Sequence, residues 1–90
     1  MPAAADPVAL LLAALGSISV PPPDLAQLEV ALQADPAQLT LVDLGLDSLS
    51  RIEACINLEI DHGVLITPET VASLHSADQL LRSIASAARG

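Results

Sequence analysis

The chain has 90 residues, of which 52% are hydrophobic and none is Phe, Trp or Tyr, and its formal net charge is -8. A chain of this length forms one small domain with a modest core and no room for a deep catalytic cleft as well, which argues against enzymatic turnover. The excess of acidic residues repels nucleic acid and anionic membranes and favours basic partner surfaces, so binding to nucleic acid or to a membrane is not expected.

The cysteine content and the N-terminal segment indicate where the protein resides. The single Cys55 cannot form an internal disulfide, suits a reducing compartment and reads most simply as a small buried hydrophobe. The apolar run 8–15 is too short to span a bilayer, and no basic residue precedes it, so no signal peptide is predicted. We expect a cytoplasmic monomer.

A first helix is bracketed by Asp6 as N-cap, Pro7 at the first helical position and Gly16 just past the end. Its apolar face consists of Val8, Leu11, Leu12 and Leu15. This pattern predicts the first helix of a bundle.

The segment between Gly16 and Ser48 is long. Three consecutive prolines at 21–23 interrupt regular structure, and apolar residues at helical spacing then predict a short helix within 24–34. That helix is either an extra element in the first loop or the first helix of the bundle itself. We favour the extra element.

The most informative feature is the run Asp43-Leu44-Gly45-Leu46-Asp47-Ser48-Leu49, followed by a helix-patterned stretch over 50–62. Gly45 permits a tight turn, and Asp47 and Ser48 both favour a helix N-terminus. The hydroxyl of Ser48 then faces outward beside the positive end of the helix, which would stabilise a phosphodiester there by about 0.3 to 1 kcal/mol. The simpler interpretation is that Asp47 and Ser48 merely cap a helix, but the whole motif favours a functional serine.

Two further helices follow the one that begins at Ser48. Gly63 occupies the position of a C-terminal cap, and Thr67 and Pro68 open a short helix. Ser76 and Gln79 have the spacing of a capping box before the last helix. The apolar face of the last helix consists of Leu80, Leu81 and Ile84.

The motif around Ser48 resembles the phosphopantetheine attachment site of acyl and peptidyl carrier proteins, and the resemblance covers residues 39–84, about half the chain. It implies an all-α four-helix bundle of the acyl-carrier type, here with an extra short helix in the long first loop. The single domain would span 1–90, with a core at about 6–87 and frayed termini. The resemblance further implies covalent 4′-phosphopantetheine on Ser48 and contact of Asp47 with the attaching transferase.

The function that the resemblance implies is that of a freestanding acyl or aminoacyl carrier, which is not itself an enzyme and tethers biosynthetic intermediates as thioesters. Its partners would be a phosphopantetheinyl transferase, a loading enzyme (a ligase, adenylating enzyme or acyltransferase) and a downstream synthase or transferase. The Leu-Gly-Leu-Asp-Ser form favours a polyketide-type pathway. A peptidyl carrier of a nonribosomal peptide system is the alternative, because aminoacyl carriers also use this form.

The helix that follows Ser48 is apolar on two sides, and a domain this small cannot bury both. One stripe consists of Leu49, Ile52, Ile56 and Ile60, and the other of Ala54, Cys55, Leu58 and His62. Periodicity alone does not choose between them. The resemblance does, because it places Cys55 and Leu58 in the core. Its predicted partner-binding residues are Leu49, Ile52, Glu53, Ile56 and Glu59.

Two residues depart from the family pattern. Arg51, which we also predict to bind partners, puts a positive charge near the serine in an otherwise acidic helix. Ile60 stands where many carriers have an acidic residue, and it is either exposed to partners or covered by the extra N-terminal segment. His62 falls where carriers often have an aromatic residue, which predicts a packing role.

Two other functions compete with this interpretation. Ser48 would serve as a nucleophile if Asp47 and a histidine activated it, but His62 lies about 21 Å along the helix, beyond hydrogen-bond reach. His75 stays possible, because its distance from Ser48 depends on the tertiary fold. The sequence contains neither an oxyanion-hole motif nor a zinc motif. The other rival is a small acidic interaction module that is never modified. It would bind through Leu49, Ile52, Ile56 and Ile60.

Overall fold

The computed structural model describes residues 6–88, which form five α-helices, one 3-10 turn and no strand. The helices are α1 (Pro7–Gly16), α2 (Leu25–Ala34), α3 (Ser48–His62), α4 (Pro68–Ala72) and α5 (Ala77–Ala88), and the 3-10 turn is Pro36–Gln38. The predicted all-α class is confirmed, and α2 lies where the sequence predicts an additional helix. The predicted fraying of the termini concerns residues outside the described range.

The N-terminal caps of α1 and α4 form where the sequence predicts them, and α2 has a further cap that was not predicted. Three side-chain oxygens accept a hydrogen bond from a backbone N–H in the first turn of α1, α2 or α4, at 3.0 to 3.2 Å. The capping residues are Asp6, Asp24 and Thr67. These contacts satisfy amide groups that have no partner within their own helix, so they fix where each helix begins.

The two predicted C-terminal glycines behave differently. Gly63 adopts the left-handed conformation with φ +68°, and its N–H donates to the carbonyl oxygen of Glu59 at 3.0 Å. Gly16 is instead the last residue of α1, Ser17 is the cap, and φ of Gly16 is not positive. Glycine is therefore required by the left-handed cap at the end of α3, whereas α1 ends without a left-handed residue.

The core is built around α1, which packs against α2, α3 and α5, while α4 packs against α3. Leu10 is buried although the sequence analysis did not place it on the apolar face, and Val8 and Leu12 are only half-buried. A fully buried leucine or isoleucine contributes about 1.5 to 3 kcal/mol, so an aliphatic core suffices without aromatic residues. The buried hydrophobic residues are Leu10, Leu11, Ala14, Leu15, Ile18, Leu32, Leu41, Leu44, Leu46, Ala54, Cys55, Leu58, Val64, Ile66, Val71, Ala77, Leu80 and Ile84.

Hydrogen bonds connect distant parts of the chain at the end of α1 and at the start of α5. The side-chain amide of Asn57 on α3 donates to the carbonyl oxygen of Ala14 at 3.1 Å, next to the bond that this oxygen accepts from the N–H of Ser17 at the end of α1. The backbone N–H of Ala77, at the start of α5, donates to the carbonyl oxygen of Leu39 at 2.8 Å. No helix of the described residues is long and apolar enough to cross a membrane.

Candidate functional site

The turn that precedes Ser48 is closed by two reciprocal hydrogen bonds. The backbone N–H of Thr40 donates to the carboxylate of Asp43 at 2.9 Å, and the backbone N–H of Asp43 donates to the hydroxyl of Thr40 at 3.1 Å. This is the pairing of a capping box, which the spacing of these two residues in the sequence already allowed. The first aspartate of the motif therefore shapes the backbone of the turn.

Two buried leucines anchor the same turn on either side of Gly45. Leu44 is fully buried and Leu46 nearly so, and the N–H of Leu46 donates to the carbonyl oxygen of Leu41 at 3.0 Å. Gly45 between them adopts φ +78°, which a residue with a Cβ resists. The alternation of leucine and glycine in the motif thus fixes the turn and brings Asp47 to the start of α3.

Asp47 caps α3 as the sequence predicts. Its side chain accepts a hydrogen bond from the backbone N–H of Ser50 at 2.9 Å. This bond is the main reason that the pKa of the exposed Asp47 carboxyl lies below its ordinary value, with smaller contributions from the Ser50 hydroxyl and the charge of Arg51. Asp47 therefore stays ionised to more acidic pH than a free aspartate.

Ser48 is the first residue of α3 and is exposed. It lies on the edge of an open groove of about 200 Å³ between α3 and α4. The other residues that line this groove are Arg51, Ile52, Pro68, Glu69 and Ala72. The structure thus brings three of the predicted site residues, at positions 48, 51 and 52, to one place, and α4 supplies the opposite wall.

The two apolar stripes of α3 have opposite environments. On the inner side Cys55 is 5% exposed and Leu58 2%. On the outer side the exposed fraction is 65% for Leu49, 44% for Ile52 and 48% for Ile56. The core positions taken from the family resemblance are buried, and the predicted partner-binding isoleucines and leucine are accessible. Binding of a partner to them stays a prediction.

Two other residues for which the sequence analysis considered burial lie in the last turn of α3. Ile60 is 76% exposed, so the extra N-terminal segment does not cover it. His62 is also exposed, so the predicted packing role is wrong. The physical reason is that every residue from 59 to 62 is exposed, because the helix extends past the core after Leu58.

The two acidic residues of the predicted partner surface differ in their surroundings. Glu53 is half-buried, and its carboxylate accepts hydrogen bonds from both the backbone N–H and the hydroxyl of Ser19, which holds the loop after α1 against α3. Glu59 is exposed. A partner would therefore meet Glu59 directly, whereas Glu53 already has a structural role within the domain.

The first loop approaches the turn that precedes Ser48. A Cβ added to Gly45 would lie 3.8 Å from Cγ of Pro22, and a shallow groove between the loop, α2 and the turn is lined by Pro22, Pro23, Asp24 and Asp43 among others. The proline-rich segment thus supports the backbone that carries Ser48.

Burial raises the pKa of the Cys55 thiol, which keeps this side chain neutral within the core. No histidine of the described residues lines the groove beside Ser48. His75 is exposed, and its backbone N–H donates to the side chain of Gln79 at 2.7 Å. Within residues 6–88 no three His, Cys, Asp or Glu side chains are grouped so as to hold a metal ion.

Three features of the site were not predicted from the sequence. Glu69 and Ala72 line the groove, and Ser19 binds Glu53. The caps at Thr67 and Pro68 predict where α4 begins, but they do not predict which of its faces meets α3. No local sequence pattern predicts these contacts, because each depends on tertiary packing.

No family model, curated protein or solved structure matches the chain.

Proposed function

We propose that this protein is a carrier that receives 4′-phosphopantetheine on Ser48 from a phosphopantetheinyl transferase and is not itself an enzyme. The observation that carries the proposal is the exposed Ser48 hydroxyl at the start of α3, presented by a turn that buried leucines and a left-handed glycine hold in place. The arm, when bound, supplies a thiol on which acyl or aminoacyl groups are carried as thioesters.

The residues at the site fit this chemistry. Attachment transfers phosphopantetheine from coenzyme A: the Ser48 oxygen forms a new bond to phosphorus, a phosphoanhydride bond breaks, and adenosine 3′,5′-bisphosphate leaves. Ser48 gives up its proton to a base of the transferase, so the carrier needs no histidine of its own. Asp47 beside it remains ionised and exposed, available for contact with a cation of the transferase.

The outer face of α3 suits transient partners. It is an apolar stripe in which Leu49, Ile52 and Ile56 are accessible, next to the exposed carboxylate of Glu59. Apolar contact supplies affinity, and the net charge of -8 draws basic partner surfaces. We propose that the loading enzyme and a downstream synthase or transferase bind here, that the fold is of the acyl-carrier type, and that the pathway is of the polyketide type.

A second function fits the same stripe. Exposed isoleucines on one helix face also suit a small acidic interaction module that is never modified, with Ile60 adding to the binding surface. This alternative needs no chemistry at Ser48, so the two functions differ in whether the chain can be modified with phosphopantetheine.

Intact-mass measurement separates them. The purified chain is incubated with coenzyme A and a broad-specificity phosphopantetheinyl transferase, and the carrier function predicts a gain of one phosphopantetheine. Ser48→Ala is expected to gain nothing while its thermal unfolding midpoint stays close to wild type, because the Asp47 cap remains. Ser50→Ala is the control for loss of a neighbouring hydroxyl and should still be modified. An unmodified wild-type chain would favour the interaction module.

A further inference from the structure

Arg51 stands out in the groove between α3 and α4 by its charge. Within residues 6–88 the only other arginine, Arg82, pairs with Asp78 at 3.1 Å, whereas Arg51 forms no ion pair there. Residues three apart on a helix are neighbours, with Cβ atoms about 5 to 6 Å apart, so the guanidinium of Arg51 reaches the surroundings of the Ser48 hydroxyl. Both side chains line the same groove.

The other charges near Ser48 are negative. Asp47 is the cap immediately before it, and Glu69 of α4 lines the opposite wall of the groove. A phosphodiester on Ser48 adds a further negative charge to this acidic region. Arg51 is the one cation of the groove that can offset it, and a guanidinium binds phosphate oxygens through two parallel hydrogen bonds.

We propose that Arg51 binds the phosphodiester of the modified Ser48 and thereby lays the first part of the arm in the groove, against Ile52 and Ala72. This inference rests on the proposed function. The groove holds about 200 Å³, less than the roughly 300 to 1,000 Å³ of pockets that enclose a drug-sized ligand, so it accommodates only the part of the arm nearest to the serine. The thiol end then lies beyond the groove, accessible to partner enzymes.

Nuclear magnetic resonance of the apo and modified chains tests this arrangement. Amide resonances of Glu69 and Ala72 are the decisive probes, because α4 is remote in sequence from Ser48 and senses the arm only through space. Modification should shift them in the wild type, and Arg51→Met should reduce those shifts at least threefold. Arg82→Met removes the same charge from α5 and is the matched control, with shifts equal to those of wild type. The phosphorus resonance of the phosphodiester should also move in Arg51→Met.

Failure of this inference can be distinguished from failure of the proposed function, because the intact mass of every sample shows whether Ser48 was modified. A wild-type chain that is modified but shows shifts confined to residues 47–51 would overturn the inference and leave the carrier function intact. Equal shifts on α4 in wild type and Arg51→Met would overturn the role of Arg51. If Arg51→Met blocks modification, Arg51→Lys replaces it, and partial retention of the α4 shifts is the expected result, because lysine keeps the charge without the paired donors.

Discussion

The two faces of α3 have similar hydrophobicity and different environments. Cys55 and Leu58 are enclosed by the bundle, while Leu49, Ile52 and Ile56 lie on the surface beside Ser48. The inner residues stabilise the fold through burial, but the outer ones gain little from folding, since much of their surface stays in water. Hydrophobicity in a sequence thus does not by itself identify a core, and the outer stripe requires an explanation other than stability.

The largest contrast between the faces is expected in stability. Cys55→Asp should destabilise the domain by about 3 kcal/mol or more, because its carboxylate enters the core without a partner. Ile52→Asp should cost about 1 kcal/mol or less, because its side chain is partly solvated already. Urea unfolding followed by circular dichroism measures both, with Cys55→Ala as the control for loss of the thiol. The opposite ranking would mean that the inner and outer faces are assigned the wrong way round.

The second contrast concerns association. Ile52→Asp and Ile56→Asp should lower kcat/KM for attachment of phosphopantetheine by about tenfold, equivalent to about 1.4 kcal/mol, if these side chains enter the interface with the transferase. Val30→Asp makes the same chemical change at an exposed position of α2 and should leave the rate unchanged. Equal rates for all three variants would remove the outer stripe of α3 from the interface.

A smaller contrast separates the two glutamates of α3. Glu53→Gln should weaken the contacts to Ser19 and lower stability by about 1 kcal/mol. Glu59→Lys should leave stability unchanged and slow association with a basic partner by a few fold, with the difference shrinking as salt is raised. Stopped-flow association at two ionic strengths gives the test, and Glu29→Lys on α2 is the control for net charge. A loss of rate that is independent of salt would contradict an electrostatic role for Glu59.

The smallest effect is the pH dependence contributed by Asp47. Hydrogen bonding to Ser50 lowers its pKa in the folded state, so its carboxylate stabilises the fold fully above the unfolded pKa of about 3.9 and loses this contribution as the pH falls through the folded pKa. Asp47→Asn keeps a capping oxygen and removes the ionisation. Thermal midpoints measured from pH 7 to pH 2 should show a gap between the two proteins that closes at acidic pH. Parallel curves would contradict this origin of the shift.

Local signals predicted much of the fold. The caps at Asp6, Asp47 and Thr67 predicted three helix starts, because a helix N-terminus is determined by residues within one turn of it. The glycine at position 63 predicted the end of α3 for the same reason. These interactions act over three or four residues, a range that a sequence displays directly.

Contacts that join separate elements were not predictable in this way. The bond from Asn57 to Ala14 and that from Ser19 to Glu53 depend on how α1 crosses α3. His62 shows the same limit, since its match to a position that is often aromatic in carrier proteins suggested packing but α3 extends past the core at that point. For the site, the motif predicted the exposed serine and its cap, whereas the wall that α4 contributes came only from tertiary structure.

The hydrogen bond from Ala77 to Leu39 has a consequence for how short a functional chain can be. It fastens the start of α5 to the segment that leads into the Ser48 turn, although the two are far apart in sequence. A chain that ended before Ala77 would retain the whole motif and all of α3, yet the backbone ahead of the serine would lose this attachment and the buried contacts of α5. If Ser48 is modified as proposed, the smallest chain that a transferase modifies efficiently should therefore extend through α5, well beyond the residues that define the motif.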